Sequence, residues 1–173
     1  MTYFPHMTNL TSVKLKPPYL ILIGDVSDPT YAKTGFGLAQ WRPELVAGQL
    51  RFRGNMIDLG VPDMTIRAAV EAGVGSLVVG VAPIGGVIPD TWWHHIEKAA
   101  AAGLDIVCGL HIRLTDNPDI VKAARASGAN LIDVRVPPSN IPIASGKKRT
   151  GKRVLTVGRS EEHTSELQSQ FRI

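Results

Sequence analysis

Short apolar runs alternate with segments of helical period along most of this chain. Tyr19 to Ile23 reads YLILI and closes on Gly24-Asp25. A continuous apolar run of that length, ended by a turn pair, predicts a parallel strand buried on both faces. Ser76 to Val81, Leu104 to Cys108 and Leu131 to Val136 repeat the signal, and Leu45 to Phe52 carries it more weakly. Asp28 to Gln40 predicts a helix, which Gly35 and Gly37 weaken by about 1 kcal/mol each. Pro43 stops that helix by disfavouring the helical backbone at Arg42. Pro62-Asp63 opens a second helix, with Ile66, Ala69, Val70 and Gly73 on one face. Asp90 or Thr91 caps a third, with Trp92, Ile96, Ala99 and Ala100 inward. Asn117 caps a fourth, with Pro118 at its first position, where a missing N–H costs nothing.

Three of these helices end alike, as Glu71-Ala72-Gly73, Ala101-Ala102-Gly103 and Ala126-Ser127-Gly128, and an apolar strand follows each. Spacings of about 30 and then 25 residues suit successive strand–helix units. Such alternation predicts an α/β fold, a Rossmann-like three-layer domain with a parallel sheet, over residues 18–136. Residues 1–17 read as a loose leader. Pro137, Pro138 and Pro142 exclude a helix and open an extended linker over 137–153. Val154 to Val157 is one more apolar strand, closed by Gly158.

Composition narrows the classes. The chain has 173 residues, 44% of them hydrophobic and 20% charged, which suits one globular domain with a core. No apolar run approaches the roughly 20 residues of a membrane helix, and the N-terminus lacks the apolar segment of a secretory signal. The single cysteine, Cys108, excludes an internal disulfide and fits a reducing cytoplasm. The net charge of +4 is concentrated at Lys147, Lys148, Arg149, Lys152 and Arg153. Without interleaved aromatics, such a cluster argues against nucleic acid and reads as a basic linker or a phosphate contact.

Gly146, Gly151 and Lys152 spell G-x-x-x-x-G-K, but Arg153 stands where a phosphate loop needs Ser or Thr. A Pro-rich linker precedes the string and a strand follows it, the reverse of a phosphate loop's setting. Gly158, at the end of a strand, is better placed to begin one. In a parallel sheet, ligands meet the carboxyl ends of the strands. That rule points to Gly24 and Asp25, Gly80 to Gly86, Gly109 to His111 and Asp133 to Arg135; Gly24, Asp25, Gly85 and Gly86 are the binding candidates among them, with Lys147, Lys148 and Arg149 as further anion contacts. His111 is a candidate acid or base. Asp133 and Arg135 alternate along one predicted strand, share a face of the sheet and are candidates for the chemistry. His94 and His95 diverge by about 100° on a helix and make no metal pair, and no metal is expected. Cys108 lies inside a strand and reads as a buried thiol.

Several strings in order resemble one family: PYLILIGD, WRPELVAGQLRFRG, DLGVPDMT, SLVVGVAPIGGVIP, GLHIRL, DVRVPP and GKKRTGKRVLTVG. They are similar to the N-terminal domain and first linker of the D-glutamate N-acetyltransferases. The resemblance covers about Pro18 to Gly158. It implies a Rossmann-like domain followed by a larger P-loop-type domain, and acetyl transfer from acetyl-CoA to D-glutamate. The family's T-D-C-x-V-G-K continuation after Gly158 is missing. The tail RSEEHTSELQS resembles a translated sequencing adapter instead. Residues 159–173 are therefore expected to be non-native and residues 154–158 to be the first strand of a truncated second domain, leaving the chain inactive alone. Without the tail's two Arg and three Glu the net charge becomes +5. Two other functions fit the residues: a non-catalytic module for a nucleotide or acidic metabolite, and part of a P-loop nucleotide hydrolase or ligase. An oligomer remains open.

Overall fold

The computed structural model describes residues 14–136, which lie in one compact unit of the chain. Among these residues five strands are present: β1 (Tyr19–Gly24), β2 (Val46–Arg51), β3 (Ser76–Val79), β4 (Asp105–Cys108) and β5 (Leu131–Asp133). They alternate with four helices: α1 (Lys33–Trp41), α2 (Ile66–Glu71), α3 (Asp90–Ala101) and α4 (Pro118–Ser127). All pairings are parallel, in the order β2-β1-β3-β4-β5. The Rossmann-like architecture expected from the alternating pattern is therefore the one found. No helix among the described residues is long and apolar enough to cross a membrane.

Every residue of β1, β3 and β4 is buried, as continuous apolar runs require. Leu20, Ile21 and Leu22 stand beside Leu77, Val78 and Val79 in register. Ile21 and Ile23 face α1, whereas Gly24 faces α3, so helices cover both sides. Gly35, a weak point for helix formation, has a packing role. Its N–H donates to the Gly80 carbonyl at 2.8 Å, which brings α1 onto the end of β3.

Several expected boundaries move; the helix expected from Asp28 starts at Lys33, after a tighter turn over Pro29–Ala32, and the strand expected to Val81 ends at Val79. Pro62 and Asp63 do not open α2, because their backbone serves the edge of β2. Gln49 N–H donates to the Pro62 carbonyl, and Met64 N–H donates to the Gln49 carbonyl, both at 2.9 Å. The helix starts after Thr65, whose hydroxyl accepts from Ala68 N–H at 3.1 Å. Asp90 is the first residue of α3 rather than its cap; Pro89 precedes it, and no side chain caps that end. The fifth strand stops at Asp133 instead of Val136. Its partner β4 ends at Cys108, so the later residues have no ladder to join.

The start of α4 follows the sequence closely. Asn117 Oδ1 accepts from the N–H groups of Asp119 and Ile120, and Pro118 takes the first helical position. Gly128 closes the helix with a left-handed backbone. Asn117→Ala is expected to cost about 0.5–2 kcal/mol, read by urea unfolding.

Two buried polar residues are fully engaged. Gln49 donates to Asp58 and the Val61 carbonyl and accepts from Leu59 N–H, which ties the loop after β2 to the sheet. Asp105 accepts from Lys16 Nζ at 3.0 Å, from Asn130 N–H at 2.8 Å and from Asn130 Nδ2. It joins the strand openings of β4 and β5 to the segment before β1.

Candidate functional site

The strand order creates two places where a ligand could meet the carboxyl edge of the sheet. The first is the switch point. The chain leaves β1 toward β2 and leaves β3 toward β4, so the loops diverge between those strand ends and open a crevice. Here an indole fills it. Trp92, from the first turn of α3, is wholly buried. Gly24 has φ +63°, and a Cβ there would lie 2.2 Å from the indole Cζ2. The indole N–H donates to Asp25 Oδ1 at 2.7 Å. Phe52 meets Trp92 edge-on at 5.8 Å and stacks tilted on His95 at 4.3 Å. Burial, and then the neighbouring His94 and Lys98 charges, hold the His95 imidazole below its ordinary pKa. The Gly24 carbonyl accepts from Phe52 N–H and from Asn55 Nδ2, each at 2.8 Å. Gly24 and Asp25, selected as ligand contacts, thus seat an aromatic plug.

The second place is a cleft of about 380 Å³ farther along the edge. The loop after β3 supplies Pro83, Gly85 and Gly86, the loop after β4 supplies Gly109 and His111, and Arg135 follows β5. His111 N–H donates to the Gly86 carbonyl at 3.0 Å, while Gly86 N–H donates to the Pro83 carbonyl at 2.9 Å. Gly86 has φ +66°, and a Cβ on it would sit 2.3 Å from His111 Cδ2. The imidazole therefore rests in space that only glycine leaves open. Arg135 Nε donates to the Gly109 carbonyl at 2.5 Å, which anchors the guanidinium on the cleft wall. Among the described residues no carboxylate lines this cleft, so its side-chain chemistry there is donor-rich.

Of the expected candidates, the fold brings Gly85, Gly86, His111 and Arg135 together. It separates Asp133 from them, although Asp133 and Arg135 were expected to share a strand face. Arg135 lies in the turn beyond the end of β5. The Asp133 carboxylate accepts from Leu114 N–H at 3.1 and 3.2 Å, and so braces the Leu114–Asp116 turn. Lys147, Lys148, Arg149 and Gly158 lie outside the described residues, as does the strand expected at 154–157. Cys108 is buried, and that burial pushes its thiol pKa up, as expected for an unreactive group.

Gly109, to which the strand-end rule pointed, contributes through its carbonyl, which anchors Arg135; no string in the sequence pairs residues 26 positions apart. A slightly larger groove of about 410 Å³ runs along α4 and is lined by Asp116, Lys122 and Arg125. It carries both signs of charge and is built from helix side chains rather than strand ends, so the cleft is the better site. Among the described residues, no three His, Cys, Asp or Glu side chains gather as a metal would require.

The chain is similar to several known proteins. Residues 51–137 match a family described as a domain of unknown function, DUF1611_N, a Rossmann-like domain. The chain is 43% identical over 144 residues to a protein from Tritonibacter scottomollicae named D-glutamate N-acetyltransferase, covering 83% of this chain and 43% of that protein. A protein of the same name from a Pseudoalteromonas species is 38% identical over 146 residues, covering 84% of this chain and 44% of its own length. The chain thus spans less than half the length of these relatives. The crystal structure of a DUF1611 family protein from Anabaena variabilis matches with a TM-score of 0.59 at 30% identity, covering 75% of this chain and 40% of that one.

Proposed function

The chain belongs to the DUF1611_N family of Rossmann-like domains, and from that membership we propose that it is the N-terminal domain of an N-acetyltransferase acting on D-glutamate. The observation that carries this reading is its likeness, over more than four-fifths of its length, to two proteins bearing that name.

In this reading the amine of D-glutamate attacks the thioester carbonyl of acetyl-CoA. The C–N bond forms, the C–S bond breaks, and the CoA thiolate leaves and takes up the proton that the amine gives away. Such a step needs the amine neutral, held near the thioester, and donors for the developing oxyanion. The strand-end cleft orients the acceptor. The basic segment with Lys147, Lys148 and Arg149 meets CoA phosphates, and in the parent protein the position of Gly158 begins the phosphate loop of a P-loop-type domain, whose continuation this sequence does not carry. A cytoplasmic setting, which the lone Cys108 fits, belongs to the same reading.

The test is a chimera in which this chain replaces the matching part of the Tritonibacter relative. CoA thiol release that depends on D-glutamate is expected from the chimera and from that relative, and none from the 173-residue chain alone. In the chimera, Lys147→Ala with Lys148→Ala is expected to raise the Michaelis constant for acetyl-CoA. ATP-dependent turnover without acetyl transfer would point to a nucleotide hydrolase or ligase instead.

A further inference from the structure

We propose that the cleft between the ends of β3, β4 and β5 is a carboxylate subsite for the acceptor amino acid, with Arg135 as its clamp and His111 as a second donor. The identity of that acid as D-glutamate rests on the acetyltransferase reading; the anion preference rests on the cleft.

Three observations converge on it. The crevice that this strand order ordinarily offers a ligand is closed by Trp92, so binding at the sheet edge shifts toward β4 and β5. The remaining cleft carries a guanidinium, an imidazole and glycine backbone and, among the described residues, no acidic side chain. Its nearest sequence carboxylate, Asp133, is held by Leu114 N–H, and Arg135 forms no salt bridge among the described residues. Arg135 is also oriented in advance, because its Nε is committed to the Gly109 carbonyl. The terminal amines carry the remaining donors that suit a carboxylate. A volume of about 380 Å³ lies near the lower end of small-molecule pockets, which run from roughly 300 to 1,000 Å³, and suits one amino acid better than a coenzyme.

Gly86 gives the site its most selective probe. Gly86→Ala changes no charge, yet the added methyl occupies the place of the His111 ring. Arg135→Lys keeps the charge but loses the planar fork.

The experiment is a ¹⁵N NMR titration of the 173-residue chain with D-glutamate, glutarate and, separately, acetyl-CoA. Saturable shifts at the Gly86 and Gly109 amides and at Arg135 Nε are expected with both dicarboxylates. Arg135→Ala and Gly86→Ala are each expected to weaken binding about tenfold or more, with Arg135→Lys between them and wild type. The amide spectrum of each variant shows whether it is folded. Cleft shifts from acetyl-CoA alone, an absence of saturable shifts with dicarboxylates, or undiminished binding by folded Arg135→Ala would each overturn the subsite. Dicarboxylate binding here beside an inactive chimera would sink the enzyme reading and leave the subsite standing. An active chimera with a silent cleft would do the opposite.

Discussion

Trp92→Ala costs the folded chain about 3–5 kcal/mol, read as the loss of unfolding free energy in urea. The indole is wholly enclosed, so its removal leaves both lost transfer energy and a cavity. Glycine at position 24 prevents easy refilling, since it has no side chain to move into the gap. The Phe52 ring also loses its edge-on partner. The bond from the indole N–H to Asp25 contributes less. Asp25 is exposed, so water replaces the lost donor at a cost of about 0.5–1.5 kcal/mol. Trp92→Phe separates these effects, because it keeps most of the ring and removes the N–H. A loss below about 1 kcal/mol in Trp92→Ala would mean that the indole does not pack over Gly24.

Asp105→Ala is the other large loss, about 3–5 kcal/mol, because it strands donors gathered around a buried carboxylate. Desolvation raises the pKa of this group. The Asn130 N–H, the Asn130 side chain and Lys16 together outweigh that effect and hold it below the ordinary carboxylate value of 3.8. The charged form is therefore favoured by folding. Its contribution is fully present above the unfolded pKa and is lost as the pH falls through the lower folded value. Stability measured from pH 6 down to pH 2 should fall more steeply in wild type than in Asp105→Asn. Asp28, Glu44, Asp58 and Asp63 are also shifted down, but their carboxylates are exposed and screened, so they add little to that slope. Lys16 is half exposed, and Lys16→Ala should cost no more than about 1 kcal/mol. A larger loss there than in Asp105→Ala would reverse the assignment of the network to Asn130.

Much of the fold was legible because its signals are local. YLILI and SLVV are too apolar for any place but a sheet covered on both sides. The Asn117-Pro118 start and Gly128 stop of α4 depend only on the residues within a turn of each end. The same holds for the carboxyl ends of the strands, which led to Gly85, Gly86, His111 and Arg135 before any contact between them was visible. Where the reading slipped, a distant partner had intervened. Pro62 and Asp63 looked like a helix start until Gln49 took the Pro62 carbonyl and the Met64 N–H on either side of Asp63. Asp133 looked like the companion of Arg135 until Leu114 took its carboxylate.

Residue pattern, then, was enough to establish the strands of the described sheet, three of them wholly buried, the helices between them and the glycines that follow three of those helices. These follow from the burial and backbone preferences of neighbours in the chain. Strand order, and with it the choice between two sites on one edge, came from packing across the sheet. Trp92 could be assigned to the inner face of its helix from spacing alone. That it closes the crevice over Gly24, and leaves the cleft beside His111 and Arg135 as the open one, depends on contacts between residues 67 and 68 positions apart. Such contacts are selected by the free energy of the whole core, and no local window contains them.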